Sequence, residues 1–302
     1  MQRHYRAGLA AVALLALTAA QTPPPEPEDI IVEGERLTPA QARERAIAYV
    51  EHTGISHNKE SVARFVDPVC PKVIGVAPDI AARVDAKVRA IATAAGARTG
   101  KAGCKPNLAV NFVGDGDRFM RTVSARDRRQ LAKLSVAEQA AMFGSGAPIR
   151  WWYSTETRGR DGGRPTDLAP AGLIIEGMPN PALPADGGEG RALSQYGSSL
   201  VSTQVARALR TASVVVDTIK ADGATLDAVA AYAALVALAE MKPRAQPLPG
   251  SILGLFGTTP PRDLTRMDSA FLRELYSLPL DRKSGLQRGR IVRALESTAA
   301  RR

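Results

Sequence analysis

The sequence predicts an α+β or α/β domain, a single mixed sheet packed by helices. Three observations carry that prediction. Strand-like and helix-like segments interleave along the chain, the pattern of layers built around one sheet. Residues 107–113 (NLAVNFV) and 212–220 read as strands, the second dominated by the β-branched run SVVVD. Residues 225–241 are apolar on every side of a helix, and such a helix belongs in an interior. The chain shows no internal repeat.

The elements follow in order. Residues 1–6 carry Arg3, His4 and Arg6 without an acid, residues 9–17 are the apolar run LAAVALLAL, and Thr18, Ala19 and Ala20 are small. That order is a secretory signal peptide over residues 1–20, with a mature chain starting near Gln21 outside the cytoplasm. The apolar run is too short for a spanning helix, which needs roughly 20 residues, so the processed protein is not expected to be integral to a membrane. Residues 21–36 form a Pro- and acid-rich extended tether, and residues 37–302 are read as one domain.

Thr38 as N-cap, Pro39 at the first helical position and Gln41 as partner of a capping box predict a helix to about His52, stopped near Gly54. Residues 64–71 (RFVDPVCP) are a short extended piece bounded by prolines. Residues 78–95 place Ile80, Val84, Val88, Ile91 and Ala95 on one helical face, with Gly96 as stop. The strand at 107–113 follows. Cys70 and Cys104, the chain's two cysteines, stand at the entries of these two strands. In an oxidising compartment an even pair predicts a disulfide. Its loop of about 35 residues would contribute roughly 4 kcal/mol in the chain-entropy account.

Residues 117–133 are a basic helical stretch, and Ser135 with Glu138 caps a short helix to Phe143. Residues 149–155 (IRWWYST) are a strand. Residues 158–193, rich in Gly and Pro, form a long excursion with a β-prone island at 173–176. Residues 199–209 and 212–220 follow as separate pieces, and Asp222-Gly223 turns the chain into the apolar helix capped by Thr225. A Pro-rich stretch at 242–263 is interrupted by an apolar knot, residues 251–256. Thr265 with Asp268 opens a helix to Tyr276, and a basic helix at about 284–299 closes the chain.

Composition narrows the function classes. The chain has 302 residues, is 45% hydrophobic and 23% charged, and so is neither disordered throughout nor a multi-span membrane protein. Its formal charge of +10 rests on arginine, 31 residues against 9 lysines, which allows contact with an anionic surface at the cell envelope. Aromatic residues make up only 5%, too few for the interleaved basic and aromatic stripe that stacks bases, so no nucleic-acid partner is expected.

Candidate chemistry is sparse. His52, His57 and Glu60 match no zinc spacing, and neither a metal nor another cofactor is expected. Asp115 and Asp117 in GDGD follow a strand end, where ligands are often held. Trp151, Trp152 and Tyr153 alternate faces of a strand, so one ring is core and another can face a ligand. Asp217 ends the VVVD strand, where side chains reach a cleft. Asp115, Asp117, Trp151, Trp152 and Asp217 are therefore the candidate cleft residues, with Cys70 and Cys104 as the disulfide. No catalytic residue is assigned. The chain carries no G-x-S-x-G elbow and no phosphate loop, and the serines at 145, 198 and 199 have only distant upstream histidines.

Several segments resemble a family of secreted proteins of unassigned activity in sphingomonad-type alphaproteobacteria. The resemblance spans about residues 64–295. It is carried by FVDPVCP at 65–71, CKPNLAVNF at 104–112, IRWWY at 149–153, VVVD at 214–217, AAYAALVALAE at 230–240, SILGLF at 251–256 and LTRMDSAFLRELY at 264–276. A weaker resemblance links Leu264, Thr265, Asp268, Leu272, Leu275 and Tyr276 to the last helix of metzincin-type metallopeptidases, which implies a degenerate zincin-like fold. The departure is chemical: residues 225–241 contain no histidine and no H-E-x-x-H. The expectation is a secreted or periplasmic, non-catalytic binding protein associated with the envelope. The alternative is a hydrolase using carboxylate or serine chemistry.

Overall fold

The computed structural model describes residues 37–55, 61–126, 135–143, 146–164, 202–203, 205–243 and 246–301. The signal peptide, the tether, residues 165–193 of the excursion with its β-prone island, residues 127–133, His57, Glu60 and the serines at 145, 198 and 199 lie outside the described residues. Among the described residues, no helix is long and apolar enough to cross a membrane.

Among the described residues, five strands form one mixed sheet. They are β1 (Arg64–Phe65), β2 (Pro71–Ile74), β3 (Leu108–Val113), β4 (Ile149–Gly159) and β5 (Val205–Asp217). β5 is central. On one edge it pairs antiparallel with β4 from Ile149↔Val216 to Gly159↔Val205, with a register shift between Ser154 and Thr155. Its other edge is shared by two parallel partners, β1 beside Ala208 and Leu209 and β3 from Leu108↔Ala212 to Val113↔Asp217. β2 lies parallel outside β3. The two pieces expected around residues 199–220 are thus one long strand; polar Arg210 and Thr211 interrupt the apolar pattern, and the register shift against β4 skips Arg210, but the strand runs on through it. β4 likewise extends past Thr155 into the excursion, as far as Gly159.

Parallel pairing of β2 with β3 requires a crossover, and α2 (Pro78–Ala95) supplies it. Its predicted face is the observed one: Val84, Val88, Ile91 and Ala95 are buried, and Gly96 closes the helix at φ +89. The disulfide Cys70–Cys104 spans Cα atoms 6.0 Å apart and ties the entry of β2 to the loop before β3. Asn107 braces the same corner, accepting from the Cys70 N–H at 2.7 Å and donating to the Pro68 carbonyl at 3.0 Å.

The connection after β3 carries α3 (Gly116–Arg126) and α4 (Val136–Phe143). After β5 comes α5 (Leu226–Leu238), whose residues from Ala228 onward are all buried. α6 (Arg266–Ser277) and α7 (Ser284–Ala300) follow and pack with α1 (Pro39–Thr53). A helix end buried with bare carbonyls would be costly. Three aromatic side chains serve the end of α5. Tyr153 donates to the Val236 carbonyl and is also 2.8 Å from that of Ala239. Tyr276 donates to the Leu238 carbonyl at 2.9 Å, and Trp151 Nε1 to that of Met241 at 3.0 Å.

Asp268 is fully buried and does more than cap α6. Its Oδ1 accepts from the Tyr49 hydroxyl at 2.7 Å and the Ser251 hydroxyl at 2.5 Å. Its Oδ2 accepts from the Ile252 N–H at 2.8 Å and from both the N–H and hydroxyl of Thr265 at 2.9 and 2.8 Å. One carboxylate thereby joins α1, the 3-10 turn Ile252–Gly254 and α6. Burial, reinforced by Asp268, pushes the Tyr49 hydroxyl well above its ordinary pKa and keeps it a donor.

The helices divide unequally between the two faces. α1, α2, α5, α6 and α7 share one large apolar core with the sheet. The other face carries a small cluster, Met120, Met142, Trp152 and Val215, under α3 and α4.

Candidate functional site

The division of helices opens a site. β3 and β5 are neighbours, yet α3 leaves β3 for one face and α5 leaves β5 for the other. Where successive connections part in this way, a crevice forms beyond the carboxyl ends of the strands. A cleft of about 1010 Å³ lies there. Its inner wall is the start of β4, from Pro148 to Trp151, together with the chain leaving β5 and the first turns of α5. Its outer wall is the Pro-rich chain between Pro243 and Arg262, whose apolar knot contributes Leu253, Leu255 and Phe256.

Three rings line the cleft in contact with one another. Trp151 meets Tyr232 edge-on at 6.0 Å between centroids, and Tyr232 meets Phe256 at 6.1 Å. Burial pushes the Tyr232 hydroxyl far above its ordinary pKa, so it is neutral. Prolines 148, 243, 247, 260 and 261 stiffen the apolar walls.

The polar end is an ion-pair network. Arg150, 1% exposed, belongs to the cleft lining and donates to Asp117 Oδ1. Lys220 Nζ lies 2.6 Å from Asp117 Oδ2 and 3.7 Å from Asp217 Oδ2. Asp217 also accepts the Gly116 N–H at 2.9 Å and the Lys220 N–H at 3.1 Å, so it anchors the start of α3 and the turn after β5. Gly116 is required by close approach: a Cβ there would fall 2.2 Å from Arg150 Nη1 and 3.0 Å from Asp217 Oδ2. The hydrogen bond from Lys220, with the charges of Arg150, Lys220 and Arg121, holds the Asp117 carboxyl below its ordinary pKa.

Each predicted residue has a definite place. Trp151 lines the cleft, whereas Asp117 and Asp217 are outside its lining and pair with the lining cations Arg150 and Lys220. Asp115 is nearby but exposed, where its Oδ1 accepts the Arg118 N–H at 2.8 Å at the start of α3. Trp152 points to the opposite face and packs with Met120, Met142 and Val215, away from the cleft. Both tryptophan rings are thus largely buried, one in the cleft wall and one in the small cluster. His52 sits in the last turn of α1. Among the described residues, no three His, Cys, Asp or Glu side chains form a group that could hold a metal ion.

Sequence reasoning missed Arg150, Lys220, Tyr232, Phe256 and Arg262. The available signal was Arg150 itself, a charge inside an otherwise apolar IRWWY strand. A buried charge demands a partner.

Comparison with family models, with curated proteins and with solved structures returns no match.

Proposed function

We propose that this protein is exported, carries no catalytic machinery in its cleft, and binds a small ligand there as a periplasmic or secreted protein of the cell envelope. The cleft supports that reading. Its volume of about 1010 Å³ is at the upper end for small-molecule sites, and it combines apolar walls with a few placed polar groups. The alternative hydrolase would need a carboxyl held protonated near neutral pH, or a nucleophile beside a base. Asp117 is held ionised by Lys220 and Arg150, and Asp217 is engaged by two backbone amides. These carboxylates brace the fold. The disulfide is compatible with an oxidising compartment, and the signal-like order of residues 1–20 supplies the route. The likeness to a protease scaffold is proposed only for element order, the VVVD strand followed by the buried α5, and no hydrolytic role goes with it.

The test is a charge-varied panel of small molecules titrated against the processed protein, with the recovered compounds weighed by mass spectrometry. The expected result is saturable one-to-one binding of an unchanged compound, weakened about tenfold in Phe256→Ala, which strips one ring from the wall. A compound recovered cleaved, with turnover lost in Asp117→Asn, would instead establish the hydrolase. Intact mass of the exported chain should begin near Gln21.

A further inference from the structure

We propose that the ligand of this cleft is a small organic carboxylate with a flat, ring-sized apolar body. The inference rests on the binding reading given above and names the ligand's chemical class.

The charge arrangement carries it. Among the described residues, the cations Arg150, Lys220 and Arg262 line the cleft against a single lining carboxylate, the exposed Asp222. The carboxylates that neutralise Arg150 and Lys220, those of Asp117 and Asp217, are not among the lining groups. A ligand entering the cleft therefore meets the accessible cations Lys220 and Arg262, while Asp117 and Asp217 lie outside the lining. Lys220 is half-buried, with a side chain 28% exposed, so its ammonium is partly stripped of water yet reachable. A charge-assisted hydrogen bond in such a place is stronger than one in open solvent. The start of α5 adds to this bias, because Thr225 and the turn before it face the same cavity and a helix N-terminus is the positive end of its dipole.

The walls set the rest of the molecule. Tyr232 and Phe256 present ring surface, and Pro247 and Pro260 close the other side without flexible side chains. Rigid flat walls favour a rigid flat ligand, which loses little freedom on binding. Lys220, the lining cation that is partly desolvated yet reachable, matches one carboxylate, hence a monocarboxylate.

The experiment compares three probes of one shape: 2-naphthoate, 2-naphthalenemethanol and 2-naphthylmethylamine, each titrated calorimetrically into the processed protein. The expected order is naphthoate at least about tenfold tighter than the alcohol, and the amine weakest. Lys220→Gln should weaken naphthoate about tenfold and leave the alcohol within about twofold. Arg262→Gln, on an exposed residue outside the network, should weaken naphthoate about threefold. If Lys220→Gln fails to fold because α3 loses its brace, the three-probe order and Arg262→Gln decide. Equal binding of naphthoate and alcohol, or tighter binding of the amine, would overturn the carboxylate assignment and leave the cleft a binding site. Failure of all three probes to bind, or naphthoate binding indifferent to Phe256→Ala, would overturn the cleft as the site itself.

Discussion

The two faces of the sheet are built differently. One is covered by five helices, with α5 buried on all sides and the Asp268 carboxylate knitting three elements together. The other has a four-residue buried cluster, two of whose members are methionines, under α3 and α4. Aliphatic packing against a buried helix specifies one arrangement, whereas methionine adapts to several. The large face is therefore read as the source of stability. The small face, which carries α3, controls the ion-pair end of the cleft. The site lies at the seam between them.

The sharpest way to break this comparison is a pair of truncations. Leu235→Ala in α5, at a fully buried position, should destabilise by about 4 kcal/mol, as a cavity in a core that cannot collapse does. Met142→Ala, equally buried but in the small cluster, should cost about 2 kcal/mol, because half-buried Val123 and Phe143 can close in. Denaturant titration measures both, and equal costs would erase the distinction between the faces. Between these two in size stands the disulfide of the large face's β2–β3 corner. Thiol titration of the denatured, unreduced protein should find no free thiol, and reduction should lower stability by roughly 3–4 kcal/mol for a separation of 34 residues.

A smaller effect, about 1–2 kcal/mol, is expected from Gly116→Ala at the seam, where the new Cβ must displace Arg150. Its diagnostic readout is weaker ligand binding alongside modest destabilisation, in contrast to Met142→Ala.

The smallest effect concerns acid. The folded state lowers the Asp117 pKa below 3.8, so the carboxylate's contribution is complete above that value. It is lost as pH falls through the lower folded value, where the unfolded chain binds the proton more readily. Wild type and Asp117→Asn should therefore differ in stability near neutrality and converge as pH falls through the lowered Asp117 value. A gap unchanged by acid would mean that the network does not hold α3.

Local rules read much of this protein correctly. Thr38 with Gln41 and Thr265 with Asp268 form the capping boxes their spacing implies, and Gly96 stops α2 as a left-handed cap. The pairing of Cys70 with Cys104, expected from an even count, is present. The candidate site was half legible. Trp151 lines the cleft and Asp117 and Asp217 pair with its lining cations from outside the lining, but Trp152 belongs to the other face, because alternation along a strand says that two rings part company without saying which one meets a cleft.

The sequence by itself determined the segments, the caps, the buried character of α5 and the mixed α/β class, because these depend on periodicity and on neighbours three or four residues away. Only the tertiary structure decided that residues 205–217 form one strand shared by three partners, and that α3 and α5 leave neighbouring strands for opposite faces. The cleft follows from that parting. Its polar end joins Arg150 to Asp117 across 33 residues and Lys220 to Asp117 across 103. Such pairings answer to the cost of an unpartnered charge in a closed fold, which acts through space and leaves no period in the chain.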